Sequence, residues 1–153
     1  VMTNSPIFND QLAINKYWEG IPGTEMLPGT NRAADRFARA SYYIKAIPQE
    51  ADTRTSIASV FSVIRNCSVP YGISSEAEPN ISSTRWRSVA DQKNLMYFFE
   101  TVKTPNTFWV DLNKIDFGKN GKVKKLSVSH NETYSGETTD LFKDSKPFTF
   151  LGI

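Results

Sequence analysis

Three segments in the first half of this chain carry apolar residues at the spacing of an amphipathic helix. The first covers residues 9–18, where Asn9 or Asp10 can cap the start of a helix. Glycine and proline at Gly20, Pro22 and Gly23 then predict its end. The apolar surface of this helix comes from four side chains, which are Leu12, Ile14, Tyr17 and Trp18.

A second helix is predicted over residues 32–46, with Thr30 or Asn31 as its cap. Its apolar positions recur at intervals of three or four, which is typical of a stripe that faces a core, and they are Ala33, Phe37, Ala40 and Ile44. After Pro48 a third helix begins at Asp52 or Thr53. Its apolar positions again follow helical intervals, at Ile57, Val60, Phe61 and Ile64.

Beyond Cys67 the pattern changes from helical spacing to short apolar runs separated by turns. Residues 82–90 alternate in part, residues 91–94 form a polar turn, and residues 95–99 are apolar, which together predict a hairpin. Further strands are indicated at residues 108–112 and 123–128, and residues 1–3 look like the end of another strand. Helices followed by strands favour an α+β fold. We see no internal repeat and no linker, so we expect residues 1–153 to form a single domain.

Charge and composition exclude several classes of function. The 18 basic and 16 acidic residues are spread along the chain and give a net charge of +2, which offers no electrostatic case for binding nucleic acid. No apolar run approaches the roughly 20 residues of a membrane helix. No glycine-rich phosphate loop follows a strand, and one histidine with one cysteine argues against a multidentate zinc site. We therefore expect neither cofactor nor metal, and no membrane partner.

Cys67 and His130 are the obvious candidates for a nucleophile and its base. Cys67 lies at the end of an apolar helix, where an inert thiol is the ordinary interpretation. His130 lies in a polar stretch that is typical of a solvated surface histidine. A cysteine enzyme that uses this pair is one alternative hypothesis, and a non-catalytic α+β binding or structural domain is another.

Asn4 and Arg36 are open to two interpretations when the residues alone are considered. An asparagine in a turn beside a proline can direct its amide at a developing oxyanion, but a simple turn-forming role is the more common one. An arginine on a helix beside Phe37 commonly lies on a solvated face. Local reasoning leaves both residues without an assigned role.

Several stretches of the chain carry a resemblance to a known family. They are residues 2–6 with Phe8, residues 27–29 and 35–40, and residues 82–86, 90–94, 97–99 and 110–112. Together they cover most of the chain and resemble, in the right order, the choloylglycine hydrolases and penicillin V acylases, which are N-terminal-nucleophile hydrolases of linear amide C-N bonds.

This resemblance implies the αββα four-layer sandwich, of which residues 1–153 would supply the C-terminal half. It implies that the side-chain amide of Asn4 contributes to an oxyanion hole and that Arg36 belongs to the catalytic constellation. The nucleophile of the family is a cysteine at the mature N-terminus. Because this chain begins with Val1, we expect it to be a piece of a longer protein and to hydrolyse nothing by itself.

The resemblance also bears on substrate, partners and location. Penicillin V, conjugated bile salts and N-acyl homoserine lactones all present an amide beside an apolar acyl group, and the sequence does not choose among them. The resemblance also implies that the protein forms a homo-oligomer. The connection between Asn4 and Arg36 is shorter than in many bile salt hydrolases, which resembles members exported to the periplasm, although a cytoplasmic location stays open.

Overall fold

A computed structural model describes residues 1–19, 27–77, 79 and 81–151. The chain divides into two compact units, which are Val1–Thr84 and Arg85–Ile153. Each unit is described by itself. The single domain expected over residues 1–153 stays a prediction.

The first unit contains the three predicted helices. They are α1 (Phe8–Glu19), α2 (Ala33–Ala46) and α3 (Thr53–Asn66). Both bounds of α1 and α2, and the start of α3, lie within two residues of the predicted ones. The residues expected to end α1, namely Gly20, Pro22 and Gly23, lie outside the described residues.

The start of α2 differs from the prediction in its capping. The N-cap is Arg32, whose side chain makes no capping hydrogen bond, rather than Thr30 or Asn31. Thr30 instead acts from the preceding loop, since its Oγ1 accepts from the backbone N–H of Arg32 at 3.2 Å. The backbone N–H and the hydroxyl of Thr30 both donate to Oδ2 of Asp35. The loop and the first turn of α2 therefore stabilise each other.

Burial on the helices matches the predicted apolar positions only in part. On α2 and α3 the fully buried side chains include Phe37, Ala38, Phe61 and Val63, whereas Ile44 is 39% exposed. Helix α1 is the larger departure, because its buried residues are the polar Gln11 and Asn15. Of its predicted apolar positions, three are exposed: Leu12, Ile14 and Tyr17. Gln11 faces α2, where its Nε2 donates to the carbonyl of Ala34 at 3.2 Å.

Asp52 caps α3 as predicted, and its carboxylate accepts from two groups of Thr55. Oδ1 accepts from the backbone N–H at 3.1 Å and Oδ2 from the hydroxyl at 2.6 Å. The hydroxyl bond and then the backbone bond lower the pKa of Asp52 from its ordinary value. A carboxylate whose pKa is lower in the folded state stabilises the fold at higher pH.

We expect this cap to make stability pH-dependent in one direction. The contribution of Asp52 is fully present above the ordinary aspartate pKa of about 4 and is lost as the pH falls through the lowered folded value. Asp52→Asn keeps an oxygen that can accept from Thr55 but does not titrate. The difference in Tm between wild type and Asp52→Asn should therefore shrink between pH 7 and pH 2. A difference that stays constant over that range would contradict the cap's role.

In its described residues the second unit contains two sheets, one of four strands and one of two. Its strands are β1 (Trp86–Asp91), β2 (Met96–Thr101), β3 (Thr107–Asp111), β4 (Lys124–Lys125), β5 (Gly136–Glu137) and β6 (Lys143–Asp144). The main sheet has the order β1-β2-β3-β5, with the first three antiparallel and β5 parallel to β3. β4 pairs with β6.

The hairpin of β1 and β2 confirms the sequence prediction, including its polar turn. Oδ1 of Asp91 accepts from the backbone N–H groups of Lys93 and Asn94, each at 3.1 Å. Aromatic rings then connect the three long strands. The centroid of Phe99 lies 5.4 Å from Trp86 and 5.5 Å from Phe108. These cross-strand pairs bury Phe108 in the core of the unit.

Two strand predictions need correction. Residues 1–3 form no strand in the described part of the chain, and residues 123–128 contribute only the two-residue β4. An isolated apolar run becomes a strand only where a neighbouring strand completes its hydrogen bonds. The α+β class itself is confirmed.

Candidate active site

Asn4 lies in the bend that joins the extended residues 1–3 to α1. The following Ser5–Pro6 peptide bond is cis, and the helix then begins at Phe8. The ring of Phe8 packs edge-on against Phe37 of α2, with centroids 6.4 Å apart. Asn4 itself is exposed. The bend is thus held next to α2 by the helix that follows it.

Arg36 lies in the first turn of α2 and reaches the bend that carries Asn4. Its Nη2 donates to Oδ1 of Asn4 at 3.3 Å, which brings together two residues 32 positions apart. The Nε of Arg36 is buried, and no group of the described residues accepts from it. A buried donor of this kind costs about 1–3 kcal/mol, so it calls for an explanation.

The bond to Arg36 determines which end of the Asn4 amide is free to donate. Asparagine has an acceptor, Oδ1, and a donor, Nδ2, on opposite sides of its amide carbon. Because a guanidinium only donates, it must face Oδ1, which is the orientation that the hydrogen bond gives. The two N–H bonds of Nδ2 then point away from the guanidinium. This arrangement orients a donor that a developing negative oxygen could use.

An apolar pocket of about 340 Å³ adjoins this bend on the side of α1 and α2. Thr3 and Pro6, which flank Asn4 in the sequence, line it together with Phe8 and Phe37. A pocket of this size and character accepts an apolar group. The bend therefore presents a polar donor next to an apolar cavity.

Arg39 carries a buried charge beside the site, and no role was predicted for it from the sequence. It is only 8% exposed, and its Nη1 donates to the carbonyls of Pro28 at 2.7 Å and Thr30 at 3.0 Å. It lies three positions after Arg36, on a neighbouring part of the same helix face, but this spacing does not by itself indicate a buried residue.

The structure supports the simpler interpretation of these two residues, in which Cys67 is an inert thiol and His130 a surface histidine. Cys67 is half-buried, and burial raises the pKa of its thiol although the nearby Arg39 and Arg36 act in the opposite direction. Its Sγ contacts the carbonyl of Arg36 at 3.6 Å. The exposed His130 has its Nδ1 2.9 Å from the hydroxyl of Ser129. A thiol with a raised pKa is a poor nucleophile near neutral pH.

Within the described ranges, no group of three or more His, Cys, Asp or Glu residues is arranged to hold a metal ion. No helix among those residues is long and apolar enough to cross a membrane.

A model of the linear amide C-N hydrolases of the choloylglycine hydrolase family matches residues 1–126, which include both Asn4 and Arg36. The chain belongs to the choloylglycine hydrolase family. The match to the family model confirms the resemblance seen in the sequence.

Named relatives of this choloylglycine hydrolase family member include two penicillin V acylases. The chain is 51% identical to the penicillin V acylase of Pectobacterium atrosepticum over 168 aligned residues, which cover 100% of the chain and 45% of that protein. The structure of penicillin V acylase from Agrobacterium tumefaciens superposes with a TM-score of 0.91 at 59% identity, covering 99% of the chain and 49% of that structure.

A more distant structure has the same fold as this member of the choloylglycine hydrolase family. A variant of conjugated bile acid hydrolase from Clostridium perfringens superposes with a TM-score of 0.64 at 22% identity, covering 86% of the chain and 48% of that structure. The chain thus spans about half the length of the relatives it matches.

Proposed function

We propose that this chain is the part of a linear amide C-N hydrolase that supplies an oxyanion donor, Asn4, and a guanidinium, Arg36, to a nucleophile carried elsewhere in a longer parent protein. The observation that carries the proposal is the 3.3 Å hydrogen bond from Arg36 to Oδ1 of Asn4. That bond keeps Nδ2 available as a donor before substrate arrives. Preorganised donors are the ones that accelerate acyl transfer.

In the proposed reaction the thiolate of the parent's N-terminal cysteine attacks the amide carbonyl carbon. A C–S bond forms, the carbonyl electrons move to oxygen, and Nδ2 of Asn4 donates to the resulting oxyanion. Collapse of this intermediate breaks the C–N bond, and the amine leaves with the proton that the cysteine thiol gave up when it became a thiolate. Water then hydrolyses the acyl-enzyme, which releases the carboxylic acid and regenerates the thiol.

Penicillin V is the first substrate to test, since two of the relatives are named penicillin V acylases. The apolar pocket beside the bend suits an apolar acyl group. Conjugated bile salts and N-acyl homoserine lactones carry the same pairing of amide and apolar group, so they complete the panel. Homo-oligomerisation of the parent stays a prediction.

We expect the parent to hydrolyse at least one of these three amides and the 153-residue chain to hydrolyse none. The physical reason is that the chain's single thiol, Cys67, is half-buried with a raised pKa. The measurement is release of the free amine from each substrate by both proteins at equal concentration. In the parent, replacing the N-terminal cysteine with alanine should abolish release.

Two results would contradict the proposal. Turnover by the pure 153-residue chain, lost on Cys67→Ala, would instead support the cysteine enzyme with His130. A folded parent that binds these amides without cleaving them would support a binding domain.

A further inference from the structure

The loop before α2 is connected to that helix by a compact set of hydrogen bonds. Nη1 of Arg39 donates to the carbonyls of Pro28 and Thr30. Thr30 in turn donates to Asp35 and accepts from the backbone N–H of Arg32. The residues that make these contacts lie on both sides of Arg36 in the sequence.

Burying the charge of Arg39 is costly unless it is well hydrogen-bonded. At 8% exposure its guanidinium is almost withdrawn from water, and the carbonyls at 2.7 and 3.0 Å are the groups that take the place of solvent. Hydrogen bonds from a charged donor are stronger than neutral ones. The loop carbonyls and Arg39 therefore fix each other's position.

Arg36 depends on the same segment for its own position. Its backbone N–H donates to the carbonyl of Arg32 at 3.0 Å, so it belongs to the turn that Thr30 and Asp35 stabilise. Its Nη2 bond to Asn4 is long, at 3.3 Å, and solvent-exposed. A bond of that kind holds its geometry only if the helix start is itself well positioned.

We propose that Arg39 is a positioning residue, which acts on catalysis by holding the start of α2 so that Arg36 stays hydrogen-bonded to Asn4. This inference rests on the proposed function for its kinetic consequence, but not for its structural one. In this proposal Arg39 contacts neither Asn4 nor the substrate and acts only through Arg36.

The structural consequence is measurable on the parent protein as solvent exchange of the Arg36 Nε–H proton by NMR. Nε is buried, so this proton should exchange slowly in wild type. Arg39→Met keeps an apolar stem but removes both carbonyl bonds. We expect Nε–H exchange to accelerate about tenfold or more, as for a local opening, while the backbone amides of residues 40–46 keep their protection.

The kinetic consequence is measurable on the parent. We expect Arg39→Met to lower kcat by about 10- to 100-fold, because small displacements of catalytic groups have effects of that size, with KM little changed. Arg54→Met is the matched control, because Arg54 is an exposed arginine in the first turn of α3. It should change neither the exchange rate nor kcat.

A folded Arg39→Met protein with wild-type Nε–H exchange at Arg36 and wild-type kcat would overturn the positioning role. If that variant does not fold, Arg39→Lys replaces it. The lysine ammonium lies one bond closer to the backbone than Nη1, so we expect it to lose at least one of the two carbonyl bonds and to accelerate the exchange in the same direction. A wild-type parent that cleaves no amide would refute the proposed function, while exchange at Arg36 would still decide the role of Arg39.

Discussion

Asn4→Ala in the complete parent protein should lower kcat by about 100- to 1000-fold, which is the usual effect of losing one oxyanion donor. The variant removes Nδ2 and also Oδ1, the atom to which Arg36 donates. Because the donor acts mainly in the transition state, kcat and kcat/KM should fall together. The measurement is steady-state amine release from whichever amide the parent cleaves. Asn9→Ala, at an exposed asparagine of α1, is the matched control and should leave kcat unchanged.

Asn4→Asp separates the donor role from a merely structural one. An aspartate keeps an oxygen for Arg36 to donate to, and so preserves the contact between the bend and α2. It replaces the Nδ2 donor with an acceptor that repels an oxyanion. We therefore expect Asn4→Asp to fold normally and to lose at least as much kcat as Asn4→Ala. Retention of kcat in the aspartate variant would mean that Asn4 serves only to hold the bend.

Arg36 provides an independent check through a double-mutant cycle with Asn4. If Arg36 acts partly by orienting the amide of Asn4, then Arg36→Ala should lower kcat much less in the Asn4→Ala background than in wild type. Residues that act as a unit are non-additive in this way. Fully additive effects would indicate that the 3.3 Å hydrogen bond has no part in catalysis.

The bounds of the helices could be predicted because their signals are local. Asp52 reveals the start of α3 through its own bonds to Thr55, and no distant residue is needed. The buried face of α1 could not be predicted in the same way, because burial depends on what the helix packs against. Gln11 is buried since α2 offers the carbonyl of Ala34 as an acceptor, and hydrophobicity alone assigns that position to the surface.

The candidate site could be predicted only in part, for a related reason. Local patterns do not assign a role to Asn4 or Arg36, and the resemblance to a family was needed to connect two residues that lie 32 positions apart. Arg39 escaped even that, because its partners are the backbone carbonyls of Pro28 and Thr30. Every residue has a backbone carbonyl, so the sequence does not show which carbonyls a buried arginine will contact.

The sheet of the second unit contains a buried ionic contact that the sequence pattern also did not reveal. Arg87 on β1 and Glu100 on β2 are directly opposite each other, and Nη1 donates to Oε1 at 3.0 Å. The hydroxyl of Thr107 on β3 donates to Oε2 at 3.3 Å. The Glu100 side chain is only 6% exposed and that of Arg87 18%. The contacts among Arg87, Glu100 and Thr107 cross three strands, so their loss should affect the whole sheet.

Glu100→Ala should destabilise the second unit by about 3 kcal/mol, because it removes a largely buried carboxylate that is paired with the guanidinium of Arg87. The measurement is the opening free energy of β2 backbone amides by hydrogen exchange, which reports this unit directly. Arg87→Met combined with Glu100→Leu should restore most of the loss, since apolar replacement of both partners removes the desolvated charge. Asp144→Ala is the control, because its ion pair with Lys122 is solvent-exposed and such pairs contribute little. If Glu100→Ala and the double variant are equally unstable, packing rather than charge would explain the effect.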